Sequence, residues 1–272
     1  MKELAPAYRP IRRGLEAVEA EIAGRTTGRF SVLLRGKRLR PAMLLLAAGA
    51  TGEQPDHDAV LAAAIVEIVH TASLIHDDVI DSAVRRRDGA ALHRLIGVKP
   101  AVIFADLLFV QGLAALEDLR TSGLVHLLVR EVRTMCEGQW LETQVGAGST
   151  CAEKQYFEII GKKTASLFAF CSRTGGLLRR AAAPELAALA EFGEQFGLAY
   201  QLLDDARDLP VERDGAVQRA LTRWGGTRFC LRAAKDAAAR ARGSLEHIPS
   251  RTAGGLGRLL AFVMEDGNDN QG

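Results

Sequence analysis

The stretch "DAVLAAAIVEIVHTASLIHDDVI", residues 58–80, is apolar on almost every face of a helix until it reaches His76. A helix carries apolar side chains all round only when other helices surround it. Three carboxylates, Asp77, Asp78 and Asp81, stand at its end, where charge directly behind a buried run is unusual. The stretch therefore predicts the central helix of a large all-α bundle, with a charged end.

A second stretch, "ELAALAEFGEQFGLAYQLLDDARDL" at residues 185–209, repeats this design and ends in Asp204, Asp205 and Asp208. In a helix the first and last carboxylates of DDxxD share a face, and such a cluster repels itself unless a cation joins it. Carboxylates suit Mg²⁺, which completes its shell with water and substrate phosphates. A solvated helix end explains one DDxxD equally well, but two copies behind apolar helices favour facing metal sites.

Helix formers dominate the rest of the chain, and runs of alternating β-branched residues are scarce. Further helices are predicted at about 3–23, 38–50, 100–120, 122–146, 152–180, 214–246 and 251–265. With 272 residues and 48% hydrophobic content, the chain has the material for one large core. No long linker rich in Pro, Gly or Ser divides it, so residues 1–272 are predicted to form a single domain.

Composition excludes several classes of function. A formal net charge of +2 argues against nucleic-acid binding by bulk charge. The four cysteines form no CxxC pair, so neither a zinc site nor a disulfide framework is expected, and a reducing compartment is favoured. The N-terminal stretch has no apolar signal core, and no uninterrupted apolar run reaches the length of a membrane span. We therefore expect a cytoplasmic protein without a membrane span.

Basic and polar residues beside these helices suggest anion binding. Arg85, Arg86 and Arg87 follow the first aspartate cluster, and guanidinium groups match phosphate oxygens bidentately. Two further basic groups lie beside apolar segments, namely Lys37, Arg38 and Arg40 in "GKRLRP" and Lys162, Lys163 and Thr164 in "IIGKKTASLF". By helical spacing His70 shares a face with Asp77, and Gln201 lies three residues before Asp204. An ordinary core role for either residue stays open.

Five ordered blocks carry a family resemblance: "GKRLRP" (36–41), "VEIVHTASLIHDDVIDSAVRRRDGAALH" (66–93), "EGQWLE" (137–142), "KTASLF" (163–168) and "YQLLDDARDL" (200–209). With them the sequence resembles the trans-isoprenyl diphosphate synthases of the polyprenyl synthetase family over nearly its whole length. The resemblance implies an isoprenoid synthase-type helical bundle around a central cavity, usually a homodimer. Such proteins use Mg²⁺ to join an allylic diphosphate to isopentenyl diphosphate, giving an all-trans polyprenyl diphosphate.

The resemblance also implies a role for each matching residue. Catalysis and binding of several Mg²⁺ ions fall to Asp77, Asp78, Asp81, Asp204, Asp205 and Asp208, with Lys163 as a further catalytic residue. The allylic diphosphate is expected at Arg86, Lys163, Thr164 and Gln201. Isopentenyl diphosphate is expected at Lys37, Arg40, His70 and Arg87, and Arg85 is expected to be solvated.

Product length is implied by the positions four and five residues before the first aspartate. Short-chain members commonly carry an aromatic residue there, whereas this chain has Ser73 and Ala72. An open tunnel beside the first aspartate helix, and a product longer than farnesyl, are therefore expected. Phe104, Phe109 or Leu113 would form the floor of that tunnel, unless they are ordinary core residues.

The sequence departs from the family after the second aspartate motif. Members usually continue with a lysine-bearing stretch of the type GKxxGxDLxxGKxTLP, whereas this chain continues "DLPVERDGAVQRALTRWGG". Either a natural deletion or a lid left out of the numbered chain explains the difference. Asp88 also replaces a usual glycine. Two alternative functions stay open: a non-catalytic or regulatory subunit of a heteromeric synthase, and a class I terpene cyclase, which needs one diphosphate pocket.

Overall fold

The structure is a computed structural model that describes residues 6–26, 36–51, 56–86, 89–119, 121, 123–145, 151–209 and 216–269. Within these ranges the fold is all-α, as predicted from the sequence. The helices are α1 (Arg12–Arg25), α2 (Leu39–Ala47), α3 (His57–Ile80), α4 (Leu92–Ile96), α5 (Val98–Ala115), α6 (Leu124–Gln144), α7 (Glu153–Ile160), α8 (Ser166–Leu178), α9 (Ala183–Asp208), α10 (Ala216–Arg223), α11 (Thr227–Ser244) and α12 (Ser250–Asp269).

Helix α3 is the central helix, as its apolar pattern predicts. The Asp56 carboxylate caps its start by accepting a hydrogen bond of 3.0 Å from the Ala59 amide. The helix packs against α1, α2, α5 and α8, and its apolar side chains lie almost entirely inside the core. It ends at Ile80, and Ser82 follows with a φ of +52°. The charged end of α3 therefore projects from the middle of the bundle.

Helix α9 lies between α8 and α11, and two of its glycines allow a close approach to α8. A Cβ atom at Gly193 would lie 2.4 Å from the Phe168 carbonyl oxygen, and one at Gly197 would lie 2.5 Å from the Ala165 Cα. Because the backbones nearly touch, no larger residue fits at this crossing. The crossing fixes α9 against the segment that carries Lys163 and Thr164.

Several elements differ from the predicted ones. The predicted helix 214–246 is two helices, because Gly225 and Gly226 adopt φ values of +117° and +59° between α10 and α11. The predicted helix 152–180 contains a π-helical segment, Gly161–Ala165. Short 3-10 segments cover Pro6–Ile11, Leu116–Asp118 and Leu245–His247. An antiparallel hairpin of β1 (Arg85–Arg86) and β2 (Gly89–Ala90) follows α3 and was not predicted.

Within the described ranges, two helical stretches are long and apolar enough to cross a membrane, judged by length and composition alone. One is α3, which is 78% buried inside the bundle, and the other is Val98–Asp118, which is 28% buried. The first is explained as the core helix of the fold. The second exposes a large apolar face, whose use is considered under Proposed function.

Candidate functional site

The ends of α3 and α9 face one polar cavity of about 740 Å³. Asp77, Asp78 and Asp81 line it from the first helix, and Asp204 lines it from the second. Arg86, Lys163, Thr164, Gln201, Arg40 and His70 line the same cavity. The structure therefore brings together most of the residues that the sequence predicts for the site, although they come from distant parts of the chain.

The first aspartate cluster combines burial with repulsion. Burial raises the pKa of the Asp77 carboxyl to about 6. The ammonium of Lys163 lowers this pKa in part, and the negative charge of Asp81 raises it further. Burial also raises the pKa of Asp81. Such carboxyls hold protons more tightly than exposed ones until a cation arrives. The cluster is therefore a site at which a cation would relieve an electrostatic cost.

Basic residues are already paired around this cluster. The Nε atom of Arg86 lies 3.1 Å from an oxygen of Asp78, and its Nη2 donates to the Leu74 carbonyl at 3.1 Å. The Lys163 ammonium lies 2.6 Å from Glu142 and 3.9 Å from Asp77. Glu142 belongs to the "EGQWLE" block, to which the sequence assigned no role. The charges are thus arranged in advance around the cavity.

The π-helical segment separates two neighbouring lysines. Lys162 pairs with Glu158 at 3.2 Å and with Glu137 at 3.4 Å, whereas Lys163 faces the cavity. Helix α6 approaches closely here, because a Cβ at Gly138 would lie 2.5 Å from the Lys163 amide nitrogen. A π-helical turn inside an α-helix often marks a functional site. This local geometry directs one lysine to the candidate site and the other away from it.

The three aspartates of the second cluster have different surroundings. Asp204 lines the cavity, whereas Asp205 and Asp208 are not among the residues that line it. Tyr156 donates a hydrogen bond to one oxygen of Asp205, and the Gln201 amide donates to the other at 2.9 Å. Burial raises the pKa of Asp205 to about 6. Asp205 is therefore held by neighbours on both of its oxygens.

Tyr156 is a site residue that the sequence analysis missed. It is fully buried on α7, and its ring packs edge-on against Trp224, with centroids 5.8 Å apart. Thr164 donates to Gln201 at 2.9 Å, so a chain of hydrogen bonds runs from Thr164 through Gln201 and Asp205 to Tyr156. Neither spacing nor charge distinguishes this tyrosine in the sequence, because only the packing of α7 against α9 brings it there.

A second polar cavity of about 480 Å³ adjoins the first and shares Arg40, His70, Tyr200 and Asp204 with it. An Arg40 Nη1 donor lies 2.9 Å from His70 Nε2, so that nitrogen accepts and carries no proton. The guanidinium stacks on Phe168 at 4.4 Å, and burial lowers the pKa of Arg40. Arg40 Nε is buried without a hydrogen-bond partner among the described residues. Arg40 is therefore a partly buried cation with few hydrogen-bond acceptors around it, which favours binding of an anionic ligand.

The other predicted residues of this region have different surroundings. Lys37 lines the second cavity and lies 2.5 Å from Asp266. Arg38 is largely buried between Glu19 and Glu67, so it ties α1 to α3. Arg87 and Asp88 lie outside the described residues. Arg85 is exposed and contributes to the rim of the first cavity.

An apolar cavity of about 280 Å³ opens beside the first aspartate cluster, between α3, α5 and α6. It shares Ser73, Asp77 and Lys163 with the polar cavity, so the two lie side by side. Ala72 is fully buried and lines neither, whereas Ser73 lines both and donates to the His70 carbonyl at 2.8 Å. Of the three predicted floor residues, Phe109 lines this cavity, and Phe104 and Leu113 do not.

Further residues of the apolar cavity were not predicted. His76 lies 3.2 Å from Asp106 and packs on the Phe109 ring, with centroids 5.7 Å apart. Met135 and Trp140 line the opposite wall from α6. The block "EGQWLE" was the available signal, since it contains Trp140, but its role depends on which face of α6 meets α3.

The carboxylates fit a metal ion that shares its ligands with a substrate. Among the described residues, no three Asp, Glu, His or Cys side chains converge tightly enough to hold an ion alone. Mg²⁺ often takes only one or two protein carboxylates and completes its shell with water and phosphate oxygens. The donors are hard oxygens, and burial raises the pKa of both Asp77 and Asp81, so a nearby cation would stabilise their ionised forms. The residues present therefore fit Mg²⁺ bound together with a diphosphate.

Comparison with known proteins agrees with this geometry. A family model described as "Polyprenyl synthetase" matches residues 26–217. The chain belongs to this family. It is 36% identical over 198 residues to the geranylgeranyl diphosphate synthase of Methanosarcina mazei, which covers 70% of this chain and 60% of that protein. It is 30% identical over 181 residues to the octaprenyl diphosphate synthase of Escherichia coli, covering 66% of this chain and 56% of that one.

The structural similarity to known proteins covers more of the chain than the sequence similarity does. A Caulobacter crescentus polyprenyl synthase, solved with calcium and isoprenyl diphosphate, superposes with a TM-score of 0.83 at 25% identity, covering 97% of this chain and 99% of that one. A geranylgeranyl pyrophosphate synthase from Lactobacillus brevis superposes with a TM-score of 0.87 at 20% identity, covering 97% and 100%. In sequence, this polyprenyl synthetase chain aligns with about 60% of the length of its curated relatives.

Proposed function

We propose that this chain is a Mg²⁺-dependent prenyltransferase, which condenses an allylic diphosphate with isopentenyl diphosphate to give an all-trans polyprenyl diphosphate. The observation that carries the proposal is that two cavities of opposite character lie side by side. The polar cavity contains carboxylates and cations, and the apolar cavity shares Ser73, Asp77 and Lys163 with it. A substrate with a diphosphate head and a hydrocarbon tail matches this pair of cavities.

The polar cavity supplies the groups that a departing diphosphate needs. Mg²⁺ bound at the aspartates would neutralise charge on the leaving group. Arg86, Lys163, Thr164 and Gln201 would bind the allylic diphosphate, and fixed donors of this kind stabilise the charge that develops as the carbon–oxygen bond breaks. Asp205, held by Tyr156 and Gln201, would keep the end of α9 in position.

The adjoining cavity would hold isopentenyl diphosphate at Lys37, Arg40, His70 and Arg87. The double bond of isopentenyl diphosphate would then attack the allylic carbocation. The released diphosphate would accept the proton that is lost, and this completes the condensation. Apolar wall residues such as Phe109 and Met135 would keep water away from the cation, which it would otherwise quench. The calcium and isoprenyl diphosphate in the Caulobacter crescentus structure support a metal and diphosphate site of this kind.

The product is proposed to be a medium or long polyprenyl chain. Ser73 is small and stands where the two cavities meet, so a growing tail can pass it. The similar proteins include both a geranylgeranyl and an octaprenyl diphosphate synthase, so membership of the family leaves the product length open. The preferred allylic primer is open for the same reason.

The exposed face of α5 is proposed to pair two copies of the chain. Ile103, Leu107 and Val110 are each more than half exposed and follow an i, i+4, i+7 stripe. Val125 and Val129 on α6 extend the exposed apolar surface. An apolar surface of this kind commonly marks an interface between proteins. A cytoplasmic homodimer would cover it without placing α5 in a membrane.

The direct test is an elongation assay. Purified protein with Mg²⁺ and radiolabelled isopentenyl diphosphate is offered farnesyl or geranylgeranyl diphosphate, and products are sized by chromatography. Elongated diphosphates are expected. A cyclic hydrocarbon would instead support the class I cyclase, and the absence of any elongated product from every primer would contradict the proposal and leave a non-catalytic subunit role.

Two single substitutions, one in the site and one outside it, test the assignment of Asp77 as a metal ligand. Asp77→Ala is expected to reduce turnover by about a hundredfold to a thousandfold, because removing a group that stabilises the transition state commonly costs that much. The matched control is Asp236→Ala, which removes an exposed carboxylate from α11. Turnover of Asp77→Ala within a few fold of the wild type would show that this carboxylate does not hold the metal.

A further inference from the structure

A concavity of about 420 Å³ lies between the start of α1, the end of α2 and the start of α12. We call it the arginine pocket, because five arginines line it: Arg9, Arg12, Arg13, Arg251 and Arg258. None of its lining residues lines the two polar cavities or the apolar cavity. Along α2, Leu46 of this pocket is six residues from Arg40, or roughly 9 Å at the rise of an α-helix. The arginine pocket is thus separate from the candidate active site.

Three of these arginines, Arg9, Arg251 and Arg258, have no carboxylate partner among the residues that the structure describes. Arg12 pairs with Glu16 at 3.0 Å, and both side chains are more than half exposed. Arg251 donates to the neutral Thr51 hydroxyl at 2.7 Å. Arg9 and Arg258 make no hydrogen bond or ion pair with any residue that the structure describes. Within the described part of the chain, no group therefore occupies the donors of these two guanidinium groups.

The surrounding backbone favours negative charge as well. The pocket includes Thr252 in the first turn of α12, where the helix dipole is positive. The last carbonyls of α2 already accept hydrogen bonds from the amides of Ala48, Gly49 and Ala50. These oxygens are therefore less available to oppose an anion.

The pocket is formed by tertiary packing and is not a basic run in the sequence. Arg9 and Arg258 lie near opposite ends of the chain, and α12 brings them together by packing on α2. This approach is close, because a Cβ at Gly255 would lie 2.9 Å from Leu46 Cδ2. The formal net charge of the chain is only +2, so the cluster is a local excess whose members repel each other. A bound anion would remove that repulsion.

We propose that the arginine pocket is a second anion site, which binds a phosphate-bearing ligand with two or more negative charges. Guanidinium groups pair bidentately with phosphate oxygens, and the pocket volume lies within the roughly 300–1,000 Å³ of small-molecule sites. Free diphosphate and the headgroup of an anionic phospholipid share this chemistry. The site goes beyond the proposed prenyl transfer and does not depend on it.

The test uses the full chain in EDTA with two probes. Inorganic diphosphate is titrated by calorimetry, and vesicles of phosphatidylglycerol are compared with vesicles of phosphatidylcholine by co-sedimentation. The test variant is Arg9→Gln with Arg258→Gln. The control is Arg228→Gln with Arg242→Gln, which removes the same charge from exposed positions on α11. Melting curves check that both variants fold, and Arg9→Lys with Arg258→Lys provides a version that keeps the charge.

The test variant is expected to bind at least one of the two probes ten times more weakly than the wild type. The affinity of the control variant should stay within twofold of the wild type, and that of the lysine variant should lie between the two. Loss of diphosphate binding alone identifies a soluble ligand, and loss of vesicle binding alone identifies a lipid headgroup. Equal weakening in the test and control variants would mean that only bulk charge acts, and would overturn the proposal. Failure of the wild type to bind either probe in this pocket would overturn it too.

Discussion

At the scale of single residues, the two aspartate motifs look alike in sequence but differ in structure. The pattern DDxxD treats its three carboxylates as equivalent ligands. In α9, Asp204 lines the cavity, whereas both oxygens of Asp205 accept hydrogen bonds from Tyr156 and Gln201. Each of these oxygens keeps a further lone pair, so the two hydrogen bonds orient Asp205 and leave it able to bind an ion as well. This difference between Asp204 and Asp205 is invisible to the motif.

A buried carboxylate outside the site gives a prediction about pH. Burial raises the pKa of Glu131 to about 6 from its ordinary 4.5, although Ser166 acts to lower it. Between these values the folded chain binds more protons than the unfolded chain, so the contribution of Glu131 to stability falls as pH rises. At pH 7.5 the ionised, buried Glu131 side chain lowers the free energy of unfolding by about 2 kcal/mol. The free energy of unfolding of Glu131→Gln, relative to that of the wild type at the same pH, should therefore increase by about 2 kcal/mol from pH 4.5 to pH 7.5. Urea denaturation at each pH measures this difference.

The comparison within each pH cancels the titration of other groups, such as Asp77 and Asp205. Glu191→Gln is the control, because Glu191 is an exposed carboxylate on α9. The gain of Glu131→Gln should clearly exceed that of this control. Equal changes in the two variants across the pH range would show that the pKa of Glu131 is not raised by the fold.

At the scale of elements, α3 and α6 form two walls of the apolar cavity that is proposed to hold the hydrocarbon tail. Ser73→Phe would place a ring where the polar and apolar cavities meet. The main product should become shorter, with turnover of the first condensation retained, and chromatography of the products measures both. Ser73→Ala keeps the passage open and should leave the length unchanged. An unchanged product from Ser73→Phe would mean that the tail does not pass this residue.

The crossing of α8 and α9 gives a prediction about stability. Gly193→Ala would place a methyl group 2.4 Å from both the Phe168 carbonyl oxygen and the Ser172 hydroxyl oxygen. The helices would have to separate, at a cost of about 1–3 kcal/mol in the free energy of unfolding. Gly243→Ala in α11 is the matched control, because nothing lies within 4 Å of its Cβ position. That change should stabilise the helix by about 0.5–1 kcal/mol.

Chemical denaturation of the two variants measures both effects. A Gly193→Ala variant as stable as the wild type would show that α8 and α9 can move apart freely. That result would also weaken the explanation of how Lys163 and Thr164 are held against Gln201.

At the scale of the whole molecule, the exposed apolar face of α5 predicts a dimer. Ile103→Asp would place a charge in the middle of that face, where burial against a second copy is costly. Light scattering after gel filtration should then give the mass of one chain, compared with two chains for the wild type. Ala239→Asp, at an exposed position on α11, is the control and should remain dimeric. A wild-type chain that is monomeric at all concentrations would contradict the assignment of this face.

The connection between α9 and α10 concerns the whole molecule as well. The expected lysine-bearing segment is absent from the sequence, and residues 210–215 lie outside the described residues. Ala216, Val217 and Gln218 of α10 line the polar cavity at this side. Helix α10 thus occupies the wall that follows the second motif. Whether the difference reduces activity is decided by the elongation assay, and the single-domain prediction stays a prediction.

The sequence by itself determined the all-α class, the central position of α3 and the pairing of two aspartate-rich helix ends. It could do so because apolar periodicity and repeated charge are local properties that survive without coordinates. Tertiary structure alone decided which carboxylates face the cavity, that Tyr156 holds Asp205, and that Lys163 rather than Lys162 points inward. It also assembled the arginine pocket from the two ends of the chain. These features depend on which helix faces meet, and in a bundle that is set by the packing of distant segments.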